Sequence, residues 1–267
     1  MWLPFRIGRF AVTGKLRYSH WSEVLLGQVV EGDDAGMWVA IKRPTPTILE
    51  SSEATGWFRR EATLLSALNH PAFPRVLEFA GGSTPVLIME HLTGAALAAL
   101  LQVESLPTMS MEGWKLLLSD WLQGIEALHQ GLGGQQVSHG DVARGNLHVD
   151  LDGRGRLLDL GLAFASQSLR QNVSKQRHKD WATLPTTPEE EFAADIAGLF
   201  DAVSPFWPPG ENPPDFVSAL LEDAQEGRWK SIGSAAQVRK LLQAQPKVRP
   251  VVKGWIQSSS SASCTPV

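Results

Sequence analysis

Three oxygen-bearing side chains, Asp141, Asn146 and Asp159, fall within the stretch Val137 to Ala163, where two apolar runs are joined by Asp152-Gly153. Oxygen donors of this kind hold hard cations, and a carboxylate can orient an attacking hydroxyl or take its proton. Leu147-His148-Val149 and Leu157-Leu158 read as a short hairpin around the Asp-Gly turn. Asn146 then leaves the first strand on the side where Asp159 ends the second. Asp141 sits five residues earlier, in the loop feeding the hairpin. A second pair stands nearer the N-terminus. Lys42 closes the apolar run Val39-Ala40-Ile41, and Glu61 falls on an apolar stripe with Trp57, Leu64, Leu65 and Leu68. A carboxylate on a buried stripe is costly unless paired, and a lysine from the adjacent strand is its natural partner. Plainer readings exist for each alone: a solvated lysine at a strand end, a glutamate reaching water from the stripe's edge, or Asp and Asn capping turns.

These side chains need elements to position them. Phe10 to Val30 alternates apolar and polar residues around Gly14 and Gly27, and Val39 to Lys42 follows a Gly- and Asp-rich turn, so three antiparallel strands are expected. Ser51 to Leu68 reads as a helix begun by capping serines and closed by Asn69-His70-Pro71. Two further strands are expected over Arg75 to Phe79 and Pro85 to Glu90, divided by Gly81-Gly82. From Met111 to Gln130 the apolar positions keep helical period, as a core helix does. Ile196 to Val203 reads as a helix opened by Asp195, and Ser234 to Gln243 as a last helix with a Ser-x-x-Gln cap. Lys247 onward, with Ser258 to Ser263, reads as a disordered tail.

Composition narrows the class. With 267 residues, 43% of them hydrophobic, the chain can bury one large core or two small ones. No run of about 18 apolar residues appears and the N-terminus lacks a secretory signal, so a cytoplasmic protein without membrane association is expected. Cys264 is the sole cysteine, which excludes a disulfide framework and a cysteine-based zinc site. A net charge of −4 gives no reason to expect nucleic acid.

In order and spacing, Lys42, Glu61, Asp141, Asn146 and Asp159 resemble the polar residues of the protein kinase superfamily, the serine/threonine kinases above all. The resemblance covers about 10 to 242. It implies an α+β bilobal protein kinase-like fold: an N-lobe (10–92) of antiparallel sheet plus one helix, and a mainly helical, shortened C-lobe (93–243). Residues 1–9 would be an N-terminal extension and 244–267 the tail. It implies ATP and Mg²⁺ as cofactors. Lys42 and Glu61 would set the phosphates, Asp141 would be the catalytic carboxylate, and Asn146 with Asp159 would hold the metal. Val24, Ala40, Lys42, Met89, Glu90, Leu92 and His148 would line the nucleotide site. Pro188-Glu189 resembles the end of an activation segment, Arg228 the arginine that pairs with its glutamate, and Asp195 the aspartate that anchors the catalytic loop.

The departures matter as much. Arg17, Ser19 and Ser22 stand where the family's phosphate-covering loop has glycines, with Trp21 at its aromatic position. Gly140 replaces an arginine that gathers a segment phosphate, which argues against switching by segment phosphorylation. Ala143 stands where serine/threonine kinases have a lysine, and the following Arg144 is the candidate to supply that charge. His139 reads as a buried structural ring, and His148 replaces an aliphatic residue under adenine. Between Ala163 and Thr187 the residues Arg170, Lys175, Arg177, His178 and Lys179 could attract an acidic protein partner. The leading expectation is ATP- and Mg²⁺-dependent phosphoryl transfer to a protein hydroxyl. A pseudokinase acting as a binding module is one alternative. A small-molecule phosphotransferase is the other, because His-Gly-Asp is also how the aminoglycoside phosphotransferases write this loop.

Overall fold

The computed structural model describes residues 5–50, 52–101, 109–131, 136–164, 170–172, 175–176, 178–208 and 210–242. The expected tail 244–267, Arg177 and the serine cap of the first long helix lie outside the described residues or side chains. The chain divides into two compact units, one of residues 1–69 and 74–92, the other of 70–73 and 93–267.

The first unit is built on a six-stranded antiparallel sheet. Its strands are β1 (Phe5–Ile7), β2 (Phe10–Tyr18), β3 (Ser22–Val29), β4 (Trp38–Pro44), β5 (Val76–Ala80) and β6 (Val86–Glu90), in the order β1-β2-β3-β4-β6-β5. The strands expected from alternation are all present. The sheet also gains an edge strand, because Phe5–Ile7, counted in the sequence as an extension, pairs with Phe10–Val12. Alternation decides which side chains go inside. Phe10, Val12, Leu25, Val29, Val39, Ile41, Val86 and Ile88 form one buried cluster, with Phe5 and Ile7 packed against it. The short α1 (Pro46–Leu49) and the long α2 (Ser52–Leu68) follow β4. Asn69 ends α2 at φ 36°, the left-handed geometry that Asn tolerates after a helix.

The second unit is mainly helical. Its axis is α4 (Met111–Gln130), which follows the short α3 (Leu97–Leu100), and Trp114, Leu117, Leu118, Trp121, Leu122, Ile125 and Leu128 of α4 are buried. A small sheet of β7 (Ala95–Ala96), β8 (Leu147–Val149) and β9 (Gly155–Leu157) packs beside α4. Two bonds fix that contact: the Trp121 indole N–H donates to the Arg156 carbonyl at 3.1 Å, and the Gly155 N–H to the Asp120 carboxylate at 3.0 Å. The fit at Gly155 is tight, since a Cβ would lie 3.0 Å from the Leu117 carbonyl oxygen and the Trp121 ring, and these would have to give way by a few tenths of an ångström. The helices α5 (Pro188–Val203), α6 (Asp215–Gln225) and α7 (Ala235–Leu241) complete the unit. Helix α5 is two turns longer than expected. It begins at a capping box in which Thr187 accepts from the Glu190 N–H, so Asp195 lies inside the helix and not at its start. Among the described residues no helix is long and apolar enough to cross a membrane.

Candidate active site

In the first unit the site begins with one ion pair. Lys42 lies mid-strand in β4, between Val24 of β3 and Leu87 of β6, and its Nζ meets Glu61 Oε1 of α2 at 2.6 Å. Both residues are buried, 4% and 2% exposed, and the Nζ lies 5.9 Å from the centre of the Phe58 ring. Burying two charges is tolerable only as a pair, because either alone would keep its full desolvation cost. The arrangement leaves an ammonium held in one place by a helix.

The other residues expected around a nucleotide in this unit lie on the sheet. Ala40 and Met89 are paired neighbours on β4 and β6 and both are buried, while Val24 is partly buried opposite Lys42. Glu90 and Leu92, at and beyond the end of β6, are partly buried. The Glu90 N–H is engaged by the Arg75 carbonyl at 2.9 Å, and its carboxylate accepts from the Arg75 N–H at 3.0 Å. Its backbone amide is therefore already bonded inside the sheet.

In the second unit Asp195 organises the loop. From inside α5 its carboxylate accepts the His139 N–H at 2.7 Å and the Gly140 N–H at 2.9 Å, and lies 3.0 Å from His129 Nε2. His129 is stacked on Phe192 with ring centres 4.3 Å apart. His139 is fully buried; its Nδ1 accepts from the Asp141 N–H and its Nε2 donates to the Leu158 carbonyl. That pair of bonds fixes the tautomer and makes the ring a brace between loop and hairpin, as the sequence suggested. Gly140 adopts φ 75°, and an added Cβ would lie 3.4 Å from both Arg170 Cδ and the Leu162 carbonyl oxygen.

Asp141 and Asn146 form one bonded unit. The Asn146 amide nitrogen donates to both the carbonyl and the carboxylate of Asp141, each at 2.8 Å, and this turns its own amide oxygen to the other side. The register Leu147↔Leu157 and the bond from Leu158 N–H to the Asn146 carbonyl place Asn146 beside the residue preceding Asp159. Asp159 takes φ 66°, rare for a non-glycine residue, and its carboxylate accepts from the Gly161 N–H. Among the described residues no group of three or more His, Cys, Asp or Glu side chains could hold a metal by itself. An amide oxygen and a carboxylate at one hairpin end do suit Mg²⁺, which is bound through one or two side chains with phosphate oxygens completing the shell.

His148 is not left open as a ligand to a base. It is 7% exposed, with Nε2 held 3.1 Å from the Thr93 carbonyl, over the turn where Gly94 takes φ 121°. Arg144 lines a pocket with Ala98, Val142, His178 and Asp201, whose lining does not include Asp141. The expected pairing of Arg228 with Glu189 does not form. Arg228 instead meets Asp223, Glu222 and Glu226, carboxylates at the end of its own preceding helix, while Glu189 is exposed.

Several contacts were missed in the sequence, among them those of Asp150 and Glu191 and the internal pairing of Arg170, which was expected only as part of a basic stretch facing an acidic partner. Asp150 shapes the hairpin turn by accepting from the N–H groups of Asp152 and Arg154 and from the Arg156 guanidinium. Arg170 reaches Glu191 at 2.6 Å and Ser138 at 3.1 Å, and these line a pocket with Asp141, His178 and Trp181. Burial pushes the Glu191 carboxyl up, and the Arg170 charge and the Ser138 hydroxyl work against that rise. Its position four residues before Asp195 of the same helix carried no sequence signal.

A family model described as "Protein kinase domain" matches residues 26–183. The chain is 34% identical to serine/threonine-protein kinase pkn2 of Myxococcus xanthus over 161 residues, 58% of this chain and 18% of that protein. It is 27% identical to the tyrosine-protein kinase MasK of Myxococcus xanthus (strain DK1622) over 237 residues, 80% of this chain and 36% of that protein. The chain thus spans 18% to 36% of the length of these two relatives. The crystal structure of the Mycobacterium tuberculosis PknI kinase domain superposes with a TM-score of 0.63 at 17% identity, covering 92% of this chain and all of that one. That likeness bears on the fold, and it agrees with the bilobal α+β architecture. Because the family model spans more than half of its length, the chain belongs to the protein kinase domain family.

Proposed function

We propose that this chain transfers the γ-phosphoryl group of ATP to a protein hydroxyl, with serine or threonine as the leading acceptor and Mg²⁺ as the cation. The observation that carries the reading is the doubly bonded Asp141–Asn146 unit, which joins an acceptor-orienting carboxylate to a metal-binding amide. Phosphoryl transfer depends chiefly on positioning and charge, and Mg²⁺ bound with the nucleotide supplies neutralisation of the phosphate oxygens. The chain's own residues do the rest. Lys42, fixed by Glu61, presents a positive charge to the phosphates. The Asp141 carboxylate orients the acceptor hydroxyl and accepts its proton, and Asn146 with Asp159 would hold the cation. The relatives' names, one a serine/threonine kinase and one a tyrosine kinase, agree on a protein acceptor. Lys175, His178 and Lys179 support an acidic stretch in that protein.

Radiolabelled transfer from ATP with Mg²⁺ to a generic protein acceptor tests this, with Asp141→Asn and Asp159→Asn alongside the parent. Each substitution keeps the shape and removes the charge, and each is expected to lower transfer by about a hundredfold or more. A parent that neither transfers phosphate nor shows an Mg²⁺-dependent thermal shift with ATP would point to the second reading, a binding module without turnover, whereas a shift without transfer would mean that the acceptor is missing. The second reading is favoured by the turn between β2 and β3, where the Ser19 hydroxyl accepts the N–H groups of Trp21 and Ser22.

A further inference from the structure

The turn Ser19–Ser22 joins β2 to β3, where the kinase resemblance expects backbone N–H groups open to phosphate. Here those groups are engaged within the turn. The Ser19 N–H donates to the Ser22 carbonyl at 2.9 Å. The Ser19 hydroxyl donates to the same carbonyl at 3.0 Å and accepts the N–H of Trp21 at 3.3 Å and of Ser22 at 3.0 Å. The turn is also tied down from outside. Thr45, just past β4 and 2% exposed, donates its hydroxyl to the His20 carbonyl at 2.8 Å and its N–H to the Trp21 carbonyl at 3.2 Å. The Trp21 ring lies 5.9 Å from that of Trp57 on α2, and His20 meets it edge-on at 5.1 Å.

An anion-binding turn needs successive N–H groups pointing outward and uncommitted. In this turn three N–H groups and three carbonyls already have partners, and one hydroxyl, that of Ser19, holds three of these six. Glycine at that position could not do this, having no side-chain oxygen. We propose that the β2–β3 turn is a closed strap and not a phosphate grip: Ser19 withholds the turn's amides, Thr45 and Trp57 tie it to β4 and α2, and nucleotide affinity is lower for it. The strap joins the same two elements that carry Lys42 and Glu61, so it steadies that pair while giving up direct contact with phosphate. The inference rests on the nucleotide-binding part of the proposed function.

The test combines amide hydrogen exchange with calorimetric titration of Mg²⁺-ATP into the full chain. It compares the parent with Ser19→Ala, Ser19→Gly and Thr45→Val. The expected result is slow exchange at Trp21 and Ser22 in the parent, lost in Ser19→Ala. Binding is expected to tighten by about three- to tenfold in both Ser19 variants, the scale of one backbone hydrogen bond released to the ligand. Thr45→Val is expected to shift affinity in the same direction. Fast exchange at Trp21 and Ser22 in the parent would overturn the strap. Binding that the substitutions leave unchanged or weaken would overturn the inference while the nucleotide reading stands. Absence of binding in the parent and in all three variants would overturn both.

Discussion

Burial gives the Lys42–Glu61 pair its character. At 2.6 Å and almost without solvent, neither charge has a substitute partner in water. Removing only the carboxylate, as in Glu61→Ala, is expected to cost about 3–5 kcal/mol in urea denaturation. Replacing both together, Lys42→Met with Glu61→Leu, is expected to return stability to within about 1–2 kcal/mol of the parent, because apolar groups of similar size fill the site without desolvated charge. Phosphoryl transfer by the double variant should stay lost, which separates the pair's chemical part from its structural one. This pair was legible in the sequence because a glutamate on an apolar stripe demands a cation, and so was Asp195, whose three bonds match the anchoring residue expected. Arg228 was misread for a physical reason. A guanidinium goes to the nearest dense set of carboxylates, and Glu222, Asp223 and Glu226 lie within six residues of it. The triad of Arg170, Glu191 and Ser138 was illegible because its members come from three separate stretches, and only tertiary packing brings them together.

At the level of elements, periodicity served well for long segments and poorly for ends. The Met111–Gln130 helix matches the apolar period residue for residue. The start of α5 was placed too late because Asp195 looked like an N-terminal residue. Thr187, Pro188 and Glu190 together carried a stronger start signal, a cap, a proline at the first helical position and a reciprocal glutamate. Glu190 accepts from the Thr186 and Thr187 N–H groups and from the Thr186 hydroxyl. The Thr186 backbone bond, foremost, holds its carboxyl below the usual glutamate range. The sign follows. The ionised group stabilises the folded chain fully above the unfolded glutamate value of about 4.3, and the benefit is lost as pH falls through the lower folded value. Thermal unfolding followed from pH 7 to pH 3 is expected to show the parent losing slightly more stability than Glu190→Gln. The difference is small because the carboxyl is well exposed to water.

For the whole molecule, the sequence supplied an α+β chain with a sheet-rich first part and a helical second part, and the two units found here have that character. Each has its own core, the sheet cluster around Ile41 and Ile88 in one and the buried face of α4 in the other. Ile88→Ala and Leu118→Ala are each expected to cost about 2–5 kcal/mol. Their effects should add to within about 0.5 kcal/mol in the double variant, since they belong to the separate cores of the two units, as denaturant titration can check. The edge strand Phe5–Ile7 escaped the sequence reading because three residues are too few for alternation to declare itself. One further consequence follows from where Asp195 sits. The carboxylate that fixes His139 and Gly140 projects from the third turn of a helix whose start is set by Thr187. Each residue added between them would rotate Asp195 by about 100° around the helix axis and carry it away from both amides. One residue inserted between Thr187 and Asp195 is thus expected to uncouple the loop from the helix, a constraint that the proline-rich stretch after Val203, lying beyond Asp195, does not share.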